Sequence, residues 1–447
     1  MTVLEQLGAH AVSGYRGGLS GPVRDALRLH LADTVGAWIA AGATAEGRAL
    51  LSFESPDRES LPGRVALHCA LARLSEVDDI HLSSGTTPGA IVIPAAVILA
   101  GALGSGGTAL AEASAVGYDL MTRLGAALDG PTILYRGIWP TYFAAPFAVA
   151  GVAARLLGLS AERCAHALAI ALAFASPAVG RQSGASMSRW LAIGNAARSG
   201  VAAALAAQAG FTGDVRLFEG EFFSGAYQVS LDVGALVEGL AQGGAVTQTS
   251  VKPWCAARQT MAAVQALKEI IGEGVPLSEM ASLTVGVPLP YLKMIDHGVV
   301  SGERLSYLTS VSYQMALFAF DPNANLDVRQ VRDGLPREME QFMARISAVP
   351  DEDLLRHFPQ SWPALLAVET SRGRREKIVL HVPGDPERPF DEFQIAAKFW
   401  RLTAPRVDER STEDLLRLSF AALDSAGGPK ALLESIERAV AASGETD

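Results

Sequence analysis

Four short stretches carry residue types that move protons or hold anions. Glu76, Asp78, Asp79 and His81 crowd together ahead of the loop Ser83 to Gly89 and an apolar segment. A group that removes a proton beside a carbonyl needs the mouth of a pocket and a pKa moved toward neutrality. Glu76, Asp79 and His81 are the candidate acids and bases; a solvated acidic loop capping a helix is the plainer reading. Lys252 stands beside Pro253, Trp254 and Cys255, with Arg258 shortly after. A lysine in that setting can hold a carboxylate or be tuned by burial, or simply lay its stem on Trp254. Arg181 and Arg189 flank a polar, Gly-containing segment and offer planar forks for carboxylates, unless they pair with structural acids such as Asp119 or Glu219. Trp139 and Tyr142 precede an apolar segment and either line a pocket or fill the core.

These residues need elements to position them, and the first 265 or so residues read as helix after helix. Over Pro22 to Ala40, Val23, Leu27, Leu31, Val35 and Trp38 recur at helical spacing, with Pro22 at the first turn and Gly42 past the end. Similar segments are predicted at Ala109 to Leu128, Phe143 to Leu157, Ala161 to Ser176 and Asn195 to Gly210. Their small residues favour close helix packing in a bundle. Residues 281–295 and 365–383 then alternate β-branched residues, with Ser371 to Arg374 as a hairpin turn. Helices at Thr309 to Phe320 and Pro336 to Ser347 lie between them. Helical patterns return at Ser411 to Leu423 and Pro429 to Ala442. The expected partition is a helical domain of residues 1–270 and 400–447, with an α+β lid domain of residues 271–399.

Composition narrows the function. The 447 residues are 49% hydrophobic, and 37 Lys and Arg against 47 Asp and Glu give a formal charge of −10. That balance, with no extended basic run, argues against nucleic acid and anionic membrane as partners. Lysine is scarce: Lys252, Lys268, Lys293, Lys377, Lys398 and Lys430 are the full set. Cys69, Cys164 and Cys255 form no CxxC or Cys/His metal spacing, so no metal site and a reducing cytoplasm are expected. Residues 1–16 lack the apolar core of a signal peptide, and no uncharged run is long enough for a membrane span. Gly104 to Gly107 is read as a turn, since no strand precedes it. GxSxG, HExxH, P-loop and EF-hand patterns are missing from the sequence.

In order along the chain, Leu31 to Gly36, Glu76 to Pro94, Ser105 to Gly107 with Ala115 to Asp119, Ser186 to Gly200, Gly210 to Gly220 and Lys252 to Arg258 resemble the MmgE/PrpD family. Its members include 2-methylcitrate dehydratase, cis-aconitate decarboxylase and iminodisuccinate epimerase. The resemblance implies a mainly α fold: an all-helical domain built from both chain ends, an inserted α+β lid, a homodimer, and an active site between the domains. It also implies cofactor-independent proton transfer beside a carboxylate of a small molecule, with lyase or isomerase outcomes.

Against the family pattern, Glu76 replaces an Asp ahead of the Asp78/Asp79 pair, and Thr87 replaces a His. Another histidine position falls on Trp139, a lysine position on Arg189, and later histidines on Ala257 or Met261. Trading histidine for Trp or Met removes a proton-transferring nitrogen and adds apolar surface. One expectation is therefore a re-equipped enzyme. In it Glu76, Asp79 or His81 is the acid or base, and Lys252 with Arg189 stabilises the anion. Thr87, Trp139, Tyr142, Arg181, Arg258 and Met261 surround a carboxylate or carbonyl substrate less polar than citrate, of the kind a specialised biosynthetic pathway uses. The alternative is a non-catalytic homodimer that binds or scaffolds.

Overall fold

Thr2 accepts from the Glu5 backbone while the Glu5 side chain returns a bond to Thr2, a reciprocal cap that starts helix α1 (Val3–Ser13). The computed structural model describes residues 1–53, 55–176, 186–332 and 334–442. Further principal helices follow: α2 (Gly21–Ala41), α3 (Leu61–Leu74), α4 (Gly89–Ala102), α5 (Gly107–Ala127), α6 (Pro140–Leu156), α7 (Ala161–Phe174) and α8 (Ser188–Gln208). Pro sits in the first turn of α2, α3 and α6, where its missing N–H is not needed. Almost all of α4 is apolar and buried, so it runs through the core instead of lying on it. Helix α8 packs on both α3 and α6. A Cβ at Gly200 would stand 2.5 Å from the Pro146 carbonyl, so only glycine lets α8 come that close to α6.

The chain divides into two compact units. One holds the described residues of 1–181, 187–251 and 390–447; the other is built mainly from 252–389. The second unit opens with helix α9 (Arg258–Gly272), whose buried face includes Met261, Val264 and Leu267. Its sheet has the order β2-β1-β3-β4, from β1 (Met280–Val287), β2 (Ile346–Pro350), β3 (Ala364–Thr370) and β4 (Gly373–Val379). Strand β1 runs parallel to β2 with Leu283 opposite Ile346, and antiparallel to β3 with Leu283 opposite Val368. Thr370 pairs with Gly373, so Ser371 and Arg372 form a two-residue hairpin turn. Helix α9 packs against β3 and β4.

The chain then returns to the first unit. Asp391 and Gln394 form a second reciprocal cap on α10 (Glu392–Thr403), which packs on α2; α11 (Glu409–Ala421) and α12 (Gly428–Ala442) follow, and α12 packs on α4. The first unit is thus helical and built from both ends of the chain, with an α+β segment inserted. Two local readings change. The strand expected over 281–295 stops at Val287, because Pro288 and Pro290 turn the chain into a short helix, Leu289–Ile295. The helix expected over 336–347 ends at Met343, and Ile346 already belongs to β2. Gly104 is a left-handed turn residue, as its context implied. Among the described residues, no helix is long and apolar enough to cross a membrane.

Candidate functional site

The acidic loop lies in the first unit, between α3 and α4. Arg73, near the end of α3, brings Nη1 to 3.0 Å from Glu76 and 3.4 Å from Asp78. Burial works against the Arg73 charge, but Asp78 and Glu76 outweigh it and hold the guanidinium ionised above its ordinary range. Glu76 takes a left-handed backbone, φ 59°, which a non-glycine residue adopts only where surroundings enforce it.

Asp79 is completely buried and has donors on both oxygens. Oδ1 accepts from the Gly89 N–H at 2.7 Å; Oδ2 accepts from the Tyr118 hydroxyl at 2.7 Å and faces His30 Nδ1 at 2.8 Å. A carboxylate on the first N–H of α4 also meets the positive end of that helix. A Cβ at Gly89 would come within 2.5 Å of Oδ2, so glycine is what lets the carboxylate sit there. Burial first, then the Asp79 charge, pushes the Tyr118 hydroxyl well above its ordinary pKa, keeping it a donor. Below this layer, Lys398 of α10 stands 2.6 Å from Asp33 Oδ1, an ion pair without good hydrogen-bond alignment, and donates to the Val77 carbonyl at 3.1 Å. Burial raises the Asp33 pKa, with Lys398 pulling it back.

His81 sits where the loop is stitched twice. Ile80 exchanges backbone bonds with Ser250, and His81 N–H donates to the Thr86 carbonyl, the turn closing through left-handed Gly85. Ser84 Oγ lies 2.9 Å from His81 Nδ1, and 3.3 Å from the His81 carbonyl to which it can donate. Desolvation lowers the imidazole to about 4, although Asp79 pulls the other way, so His81 is neutral near pH 7.

From this loop the contacts lead to α6. The Thr87 N–H donates to Thr141 Oγ1 at 3.0 Å, and the two hydroxyls are 3.3 Å apart. Next in α6 is Tyr142, whose buried hydroxyl has no hydrogen-bond partner among the described residues and lies near enough to Arg73 to affect its charge. Trp139 meets Tyr142 edge to face, and the Arg189 guanidinium lies over two indoles, 4.5 Å from the Trp139 ring centre and 4.7 Å from that of Trp190. Arg189 is only 7% exposed, and no described residue pairs with its guanidinium by hydrogen bond or salt bridge. Cation–π contact favours such a charge.

Glu76, Asp79, His81, Thr87, Trp139, Tyr142 and Arg189 are thus linked through neighbouring contacts within one unit. Three other expected site residues lie in the second unit. Lys252 is buried there and has an interaction of its own. Arg258, expected to bind substrate, is 1% exposed and committed instead to Asp385 at 2.6 Å, with the Trp362 carbonyl at 3.4 Å; this is a structural ion pair. Met261 is wholly buried on α9. Arg181 lies outside the described residues. Sequence reasoning missed His30, Arg73, Tyr118 and Trp190. Lys398 was legible: it interrupts the buried face of α10 formed by Ile395, Phe399 and Leu402. Among the described residues, no group of three or more His, Cys, Asp and Glu is arranged to hold a metal ion.

A helical unit made from both chain ends, an inserted α+β unit and a buried acidic loop feeding a helix N-terminus define the class of protein. Residues 5–236 match the MmgE/PrpD N-terminal domain and residues 254–420 the MmgE/PrpD C-terminal domain. The chain belongs to the MmgE/PrpD family. No curated protein matches its sequence.

Proposed function

We propose that this protein is a cofactor-independent enzyme of lyase or isomerase type, transferring a proton next to the carboxylate or carbonyl of a small molecule. The observation that carries the reading is the state of His81. Ser84 Oγ stands 2.7 Å from Thr86 Oγ1 and 3.3 Å from the His81 carbonyl; with its one proton on either, Oγ accepts from Nδ1–H, and we take this tautomer, in which Nε2 bears the lone pair. No described residue hydrogen-bonds that Nε2. Asp79, occupied by its three donors, is better suited to hold the loop than to accept a substrate proton. Glu76, ion-paired with Arg73, is the second candidate.

In this mechanism His81 Nε2 takes the proton, and the C–H electron pair moves into the adjoining carbonyl or carboxylate as an enolate. Return of a proton completes an isomerisation; departure of a leaving group from the next carbon completes an elimination. Arg189 and Lys252 supply positive charge for the anion, while Trp139, Tyr142 and Thr87 surround a less polar substrate than citrate. The proposed working state is a cytoplasmic homodimer without a nucleic-acid or membrane partner. Turnover of candidate carboxylates by wild-type, Glu76→Gln and Lys252→Ala proteins tests the assignment. Loss of activity by about 100-fold or more in Lys252→Ala supports its role; unchanged turnover removes Lys252 from the mechanism.

A further inference from the structure

Trp190 also lines a cleft of about 290 Å³ in the first unit, between α3, α8 and the segment around residues 50–58. The two helices meet closely at one point, where a Cβ on Gly194 would stand 2.7 Å from the Ala66 carbonyl. Beside that contact the small side chains Ala66 and Ala70 leave space, and Leu50, Leu67 and Trp190 give it apolar walls. Leu50 and Trp190 are buried, whereas Phe53 and Leu191, which line the same cleft, are 52% and 49% exposed. Large apolar side chains left half open around one recess mark a place where something binds. The segment 55–58 is fixed by its own bonds: Arg198 of α8 pairs with Asp57 at 2.9 Å, and Ser55 Oγ donates to Asp57 at 2.6 Å. Arg58 Nη1 donates to the carbonyls of Leu51 at 2.6 Å and Phe53 at 3.2 Å. The cleft is therefore preformed, and its acid is already neutralised. The side-chain amide of Asn195 lines it without a hydrogen-bond partner among the described residues.

We propose that this cleft binds a compact, uncharged aromatic molecule of about two fused rings, with its ring body against Leu50, Leu67 and Trp190 and one N–H or O–H at the Asn195 amide. Size sets the ring count: an apolar cavity of roughly 150 Å³ takes one benzene, and this cleft has close to twice that room. Charge sets the rest. Apolar walls penalise an ion, and a cationic ligand finds Asp57 already held by Arg198. The site makes no use of the 76–81 loop, so it stands whether or not His81 moves a proton.

The test titrates full-length protein with 5-fluoroindole, followed by fluorine NMR and calorimetry. Saturable binding at one site is expected, with indole displacing the probe at least about tenfold better than tryptamine, the same ring carrying a cation. Ala66→Trp fills the cleft from a partly exposed helical position and is expected to weaken binding by about tenfold or more, with the circular dichroism of wild type. Leu191→Ser, at a half-exposed position that leaves the core intact, is expected to weaken it by about fivefold. Absence of saturable binding overturns the proposal, as does unchanged binding in both variants or displacement by tryptamine as readily as by indole. A changed oligomeric state of Ala66→Trp on size-exclusion chromatography, with 5-fluoroindole binding retained, also overturns it and gives the cleft to a second copy of the chain.

Discussion

Lys398 reaches across 321 residues of sequence to donate to the carbonyl of Val77 at 3.1 Å, within the acidic loop. The same ammonium neutralises Asp33 on α2 at 2.6 Å, so one lysine from the C-terminal segment ties the loop to the helical body. Lys398→Met would leave Asp33 buried without its counter-charge and Val77 without its donor. The expected cost is about 3–5 kcal/mol, read as a fall in the urea midpoint. Adding Asp33→Leu should restore much of it, because the orphaned charge is then gone; no recovery would contradict the pairing.

Gly89→Ala tests the seat of Asp79 without altering any charge. The new Cβ would lie 2.5 Å from Oδ2, so the carboxylate must leave the α4 N-terminus or the helix must shift. Either outcome breaks bonds to Gly89, Tyr118 or His30. A loss of roughly 2–3 kcal/mol is expected in chemical denaturation, together with loss of activity. Wild-type stability in this variant would show that Asp79 is not held as described.

Stability should fall in mild acid through two histidines. His68 accepts from Trp38 Nε1 at 3.0 Å, and burial, with Arg64 and Arg58 adding to it, lowers the imidazole to about 3; His81 is lowered to about 4. Between these values and the ordinary 6.5, the unfolded chain binds protons that the folded chain does not. Stability therefore rises with pH across that window and is lost as pH falls. The slope contributed is up to about 1.4 kcal/mol per pH unit for each histidine. Denaturation midpoints from pH 7 to 4 should show a shallower decline in His68→Gln than in wild type.

The same lowering at His81 has a kinetic signature. If its neutral form takes the substrate proton, the acid limb of kcat/KM lies near pH 4, and activity is flat from about pH 5.5 upward until another group titrates. A limb near 6.5 that vanishes in His81→Gln would place the imidazole in ordinary solvent and contradict its enclosure.

The helices were legible because their apolar spacing and their Pro and Gly punctuation agree, as at Pro22 and Gly42 around α2. The end of β1 was missed because the β-branched alternation weighed more in the reading than Pro288 and Pro290, which stop ladder pairing there. At the site, the residue types of the 76–81 loop, Trp139 and Arg189 stood out. Their neighbours did not. Whether a carboxylate is free or filled depends on donors brought from elsewhere: His30 and Tyr118 lie 49 and 39 residues from Asp79. Arg258 misled for the same reason, since its partner Asp385 is 127 residues away. The two indole contacts of Arg189 combine an adjacent tryptophan, Trp190, with Trp139, 50 residues earlier in the chain, which spacing alone does not connect.

The central claim is that His81 moves a proton on a small carboxylate, and solvent deuterium measures this directly. Candidate small carboxylates are incubated with the protein in deuterated water, and incorporation beside the carboxylate or carbonyl is followed by NMR. Wild type is expected to exchange, and a folded His81→Gln protein to exchange at least about 100-fold more slowly. Exchange at the wild-type rate in His81→Gln, or none with wild type on any of these compounds, would contradict the account.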